Sequence, residues 1–233
     1  MNIYKIAETL NDFELKIGVI KIPPIWGSKM SADDYYQHMR ARVESGRRLL
    51  LPAEVGCSLA HQIAYKKIIE KNVSAVILEQ DIALSATSLK EIEQIISTLK
   101  NPDFVHFAKY RHRFAMSPLE NGIYIADTSN GFWGAAAYYL SPTMAKYVLS
   151  KHKCFIDLAD NWQEFFVGCP HVPYYTPIFE HTGSESRIGP QRANSQNPSI
   201  IEVIKLRLLR WRMRYLSQPR LLRNIVRSRK KIS

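Results

Sequence analysis

The sequence predicts an α/β domain on a mostly parallel central sheet, extended by a basic, amphipathic helical tail. Three observations predict it. Segments of helical periodicity alternate with short apolar runs along the first two thirds of the chain, the order that builds a sheet covered by helices. The run VSAVIL, residues 73–78, is rich in β-branched residues and almost wholly apolar, as a strand buried on both faces must be. The charge is also divided unevenly: eleven Lys and Arg from Lys205 to Lys231 stand against Glu202 alone, so the last 32 residues carry +10 of the net +11 and leave the body near neutral.

Each element has a local reason. KIGVIKI, residues 16–22, predicts a short strand. SADDYYQHMRARVES predicts a helix that Ser31 opens in an S-x-x-D capping pattern. Within CSLAHQIAYKKIIEKN, residues 57–72, Leu59, Ile63, Ala64 and Ile68 share one helical face, and VSAVIL follows as a strand. SLKEIEQIISTLK predicts the next helix, DFVHFA and GAAAYYL two strands, and SPTMAKYVLS a helix that Ser141 can cap and Pro142 can start. GSESRIGPQRANSQNPS, residues 183–199, has the Gly, Ser, Asn and Pro content of a linker. The domain is therefore expected over 1–198 and the tail over 199–233.

Composition narrows the class. With 233 residues and 46% hydrophobic content the chain can bury a full α/β core, which excludes disorder throughout. Cys57, Cys154 and Cys169 are few, odd in number and widely spaced; they match neither a disulfide framework nor a zinc motif and point to a reducing cytoplasm. The N-terminus lacks a basic segment followed by an apolar one, and no run of about 18 apolar residues occurs, so neither secretion by a signal peptide nor a membrane span is expected.

The first chemical signal is VILEQDIALS, residues 76–85, where an apolar strand stops at Glu79, Gln80 and Asp81. Ligands of parallel sheets collect at the carboxyl edge of the strands. If the segment stays extended, Glu79 and Asp81 point to the same side and can approach one hard cation, Mg²⁺ or Mn²⁺, itself held to a diphosphate. The alternative is a pair of solvated carboxylates at a strand end.

In the tail, Ile201, Ile204, Leu208, Trp211 and Tyr215 recur at steps of three and four, while Arg207, Arg210 and Arg214 line another face. Over residues 201–231 this predicts an amphipathic helix lying on an anionic membrane surface. Packing on the body and nucleic-acid binding are the competing readings, and the near-neutral body speaks against nucleic acid.

The segment EVGCSLAHQIAYKKIIEKNVSAVILEQDIAL resembles glycosyltransferase family 25, the bacterial lipooligosaccharide galactosyltransferase type, through Gly56, Cys57, His61, Tyr65, Ile68, Ile69, Ile77, Leu78, Glu79 and Asp81. Three later blocks resemble the family in the same order: GFWGAAAYYLSPTMAKYVL, FIDLADNW and TPIFEHTGSESRI. Two departures stand out, since Gln80 occupies the middle of the family's acidic triplet and Ala60 replaces a Ser beside His61.

The resemblance implies a GT-A-like nucleotide-sugar fold and an inverting transfer, with UDP-galactose as donor and a lipid-linked oligosaccharide as acceptor, on the inner face of the cytoplasmic membrane. A carboxylate would take the acceptor hydroxyl's proton, with Asp157 and Asp160 as candidates. Trp133 and Trp162 would offer aromatic faces to the acceptor. His61, Glu79, Asp81 and Arg187 would contact the donor, Arg187 through its bidentate fork, and Glu79, Asp81 and His181 would hold the divalent cation. The other readings are a family member that Gln80 has left inactive and serving as a binding partner, and a basic nucleic-acid-binding protein.

Overall fold

The computed structural model describes residues 1–109, 116–129, 131–154 and 156–180. The elements run β1 (Asn2–Ile6), α1 (Asp12–Lys16), β2 (Ile20–Ile22), a 3-10 turn (Gly27–Lys29), α2 (Ala32–Glu44), α3 (Pro52–Lys71), β3 (Ala75–Glu79), α4 (Ala86–Thr98), β4 (Phe104–Ala108), β5 (Met116–Glu120), β6 (Ile123–Ala126), β7 (Ala137–Leu140), α5 (Pro142–Cys154), α6 (Trp162–Phe165) and β8 (Tyr174–Phe179). The strands form one sheet in the order β2-β1-β3-β7-β4-β8-β6-β5. The linker over 183–199, the tail over 199–233 and the candidates His181 and Arg187 lie outside the described residues. Among the described residues no helix is long and apolar enough to cross a membrane.

The sheet is mixed, which corrects the expectation of a mostly parallel one. β1 runs parallel to β2 and β3, and β4 to β8, but β7 lies antiparallel between β3 and β4, and β6 is antiparallel to both β5 and β8. An apolar run records burial on two faces and carries no direction. GAAAYYL therefore looks like its neighbours in sequence, while the tertiary structure inserts its strand against them.

The predicted helix starts hold where a side chain caps them. Ser31 accepts from Asp34 N at 3.1 Å, and Ser141 Oγ accepts from Met144 N at 3.1 Å, each satisfying a donor that the first turn leaves open. α3 begins earlier than its periodicity predicts, at Pro52, where a missing N–H costs nothing. It ends at Asn72, whose φ of 50° is the left-handed cap conformation. Its buried face is centred on Ala60, Ala64, Tyr65 and Ile68, while Ile63 is only partly buried. KIGVIKI divides: Lys16 closes α1 and only Ile20–Ile22 is a strand.

Alternation in the strands sorts the core into two sides. Ala75 and Ile77 of β3 and Tyr138 of β7 face α3 and α5, meeting Ala60, Ala64, Met144 and Val148. Val76, Leu78 and Tyr139 face the other way, toward Ile92 of α4. A smaller cluster, Met39, Val43, Leu50, Val55 and Ile156, seats α2 beside the start of α3. Close approach there requires glycine: a Cβ on Gly56 would lie 2.1 Å from the Ile25 carbonyl oxygen, and one on Gly27 would lie 2.1 Å from Pro52 C.

Candidate functional site

Strand phase decides where Glu79 points. It is the last residue of β3, in step with Ala75 and Ile77, so its side chain falls on the α3 side of the sheet. The first half of α3 crosses there, and Cys57 and His61, four residues apart, project from one helical face. His61 Nε2 lies 3.1 Å from Glu79 Oε1, and Cys57 Sγ lies 3.8 Å from the same oxygen. The three ligand atoms sit within 4.8 Å of one another. His61 is fully buried and the Glu79 side chain is 30% exposed, so the cluster opens outward at its carboxylate.

Behind His61 the network continues. Its Nδ1 is 2.6 Å from Tyr138 Oη, which is 3.0 Å from Tyr65 Oη. Tyr138 is registered opposite Ile77, two residues before Glu79 on the same face, so strand pairing places the phenol against the imidazole. Burial raises the pKa of both phenols, that of Tyr138 well above its ordinary value, because a phenolate would lose its solvation there. Both hydroxyls remain donors at neutral pH. With Nε2–H donating to Glu79, the chain runs Tyr65 to Tyr138 to His61 to Glu79 with every link satisfied.

The extended geometry expected for Glu79 and Asp81 does not hold. β3 ends at Glu79, and Gln80 and Asp81 form a turn closed by Ile82 N donating to Glu79 O at 3.2 Å. The two carboxylates are therefore not on successive same-side positions of a strand. Buried Lys5, paired with buried Glu14, donates to Ile82 O at 2.9 Å and pins the turn from beneath. Gln80 is exposed and Asp81 half-buried.

The later candidates separate. Asp157 is 3% exposed and lies 3.2 Å from Arg42 and 3.5 Å from Arg47; its Oδ1 accepts from Leu158 N at 2.8 Å. It anchors the segment after α5 to α2, and Ser58 of α3 donates to its backbone carbonyl at 2.6 Å. Asp160 is half-buried, and its carbonyl accepts from Gly134 N at 3.2 Å, which sets it beside the chain entering β7. Trp133, in that same segment, is also half-buried. Trp162 is fully buried: Phe104, Tyr138 and Phe165 pack on it, and its indole N–H donates to Gly134 O at 2.5 Å. It is a core residue here, without the open face expected of an acceptor contact. His61, expected at the donor, is fully buried and meets part-exposed Glu79 at its Nε2.

The donor set bears on the cation. A thiol, an imidazole and one carboxylate form a borderline to soft set, whereas Mg²⁺ takes oxygen in an octahedron. The hard-cation expectation thus finds Glu79 in a cluster of another character. Cys57, Tyr65 and Tyr138 are the partners that sequence reasoning missed as site residues. The i, i+4 spacing of Cys57 and His61 was the signal available for the first; the β3–β7 pairing that delivers Tyr138 leaves none.

A model of glycosyltransferase family 25 (LPS biosynthesis protein) matches residues 25–162, more than half of the chain. The chain belongs to glycosyltransferase family 25. No curated protein matches it. The family match supports a glycosyltransferase of lipopolysaccharide biosynthesis, with a nucleotide-sugar donor and a glycan acceptor. It spans α2, α3, the Glu79 turn, β7 and α5 and stops at Trp162, so the Cys57–His61–Glu79 cluster and both aspartates fall inside the family 25 region.

Proposed function

We propose that this family 25 protein transfers galactose from UDP-galactose, with inversion, to a lipid-linked oligosaccharide of the lipopolysaccharide or lipooligosaccharide type. The observation that carries the reading is Glu79, a part-exposed carboxylate closing the family-matched strand where parallel β1 and β3 reach their carboxyl ends together, the position at which nucleotide ligands of α/β sheets collect. A GT-A-like arrangement accords with the mixed sheet flanked by helices. Glu79 faces the donor and holds its divalent cation, Asp81 stands in the turn that follows, and His181 and Arg187 are further donor-side candidates. That cation would neutralise charge building on the departing diphosphate.

On the acceptor side Asp160 is the first choice of base, because it is half-buried beside the β7 entry, and Trp133 is the aromatic contact. The burial of Asp157 between two arginines suits positioning better than proton uptake. The tail over 201–231 holds the enzyme on the anionic inner face of the cytoplasmic membrane, through eleven cationic side chains beside an apolar stripe.

Purified full-length protein incubated with UDP-galactose, a divalent cation and a lipooligosaccharide acceptor is expected to release UDP and form a galactoside of inverted anomeric configuration, read by mass spectrometry and NMR. Another nucleotide sugar serving in its place overturns the donor assignment. Binding of donor without turnover of any acceptor favours the inactive binding partner. Liposome binding that survives deletion of residues 202–233 overturns the membrane role of the tail.

A further inference from the structure

We propose that Cys57 Sγ, His61 Nε2 and Glu79 Oε1 form a three-ligand site for a zinc-class cation with its fourth position open. The geometry is close to what such an ion needs. With Zn–S near about 2.3 Å and Zn–N or Zn–O near about 2.0 Å, a tetrahedron sets S···O edges of roughly 3.5 Å and N···O edges of roughly 3.3 Å. The corresponding distances here are 3.8 Å and 3.1 Å, and all three atoms lie within 4.8 Å of each other. The two edges to Glu79 need shifts of a few tenths of an ångström, and the Cys57–His61 edge, within 4.8 Å against roughly 3.5 Å in the tetrahedron, closes by rotation of the Cys57 side chain toward His61. The thiolate is what distinguishes it from a hard-cation site at Glu79 and Asp81, since sulfur selects zinc over magnesium and manganese.

The surroundings are those of a ligand-bearing histidine. A metal-bound imidazole donates its other N–H to an oriented acceptor, which fixes the ring and its tautomer. His61 Nδ1 faces Tyr138 Oη at 2.6 Å. When Nε2 turns to a cation, Nδ1–H donates to Tyr138, whose own hydroxyl then donates to Tyr65 at 3.0 Å. The relay reverses without leaving His61 or Tyr138 unsatisfied. Three protein ligands and one open position are the arrangement of a working zinc rather than a structural one. Under the transferase reading, the position left open beside part-exposed Glu79 is available to a donor phosphate oxygen. Only that last step rests on the proposed function.

The test is metal binding by the full-length protein with neither donor nor acceptor present, so its outcome is independent of transferase activity. After loading with Zn²⁺ and dialysis, elemental analysis is expected to give about one zinc per chain. The Co²⁺ form is expected to show a thiolate-to-cobalt charge-transfer band in the near ultraviolet, which C57S removes while C154S and C169S leave it in place. Y138F, which keeps the phenyl packing, is expected to weaken zinc binding about 10- to 100-fold. Cobalt bound without that band, or a band indifferent to C57S, overturns the proposal, as does a chain that retains no zinc.

Discussion

His61 Nε2 stands 3.1 Å from Glu79 Oε1, tying the interior of α3 to the last residue of β3. The contact spans 18 positions of sequence and exists because strand phase and helix phase meet at one edge of the sheet. Replacing Glu79 by Gln keeps an oxygen for the His61 N–H but removes the charge. Transfer in Glu79→Gln should fall by about 10²-fold or more, with a melting temperature close to that of the parent. Initial-rate assays beside thermal denaturation check both halves, and unchanged turnover places the chemistry elsewhere.

Asp157 and Arg42 form a buried pair, with side chains 4% and 6% exposed. Asp157→Asn leaves a guanidinium uncompensated in the interior and should cost about 3–5 kcal/mol. Arg47, one-third exposed, is screened by water, and Arg47→Ala should cost about 0–1 kcal/mol. Urea denaturation of both variants separates the two cases.

Gly56 sits where the Ile25 carbonyl needs the space of a side chain. Gly56→Ala should destabilise the protein by about 1–3 kcal/mol through backbone displacement of the segment before the 3-10 turn. The helix itself would favour alanine, so a neutral or raised melting temperature would contradict the packing.

Burial pushes the His152 pKa down from 6.5 to about 4. The unfolded chain therefore binds this proton more readily between those values, and stability is complete above pH 6.5 and falls as pH drops toward 4. The shift corresponds to roughly 3 kcal/mol. Denaturation midpoints measured across that window should decline with acid, and His152→Gln should flatten the decline.

Local signals in the sequence determined much of this protein. Ser31 and Ser141 mark helix starts because a cap is made by residues three apart, and VSAVIL announces a buried strand because burial on two faces requires apolar residues at successive positions. The ordered blocks around Glu79 identify the family for the same reason: each is short and self-contained. The direction of β7 was decided by tertiary pairing alone. So were the turn that separates Asp81 from Glu79 and the burial of Trp162, which shares its aromatic character with exposed sugar platforms. Cys57, which the sequence offers as one of three scattered cysteines and as part of the family resemblance, gains partners only when β3 brings Glu79 beneath α3, and Tyr138 reaches His61 through a strand register that no residue spacing encodes. Local chemistry is written in neighbouring residues, whereas a site assembled from two strands and a helix depends on distances that exist only after the core has packed.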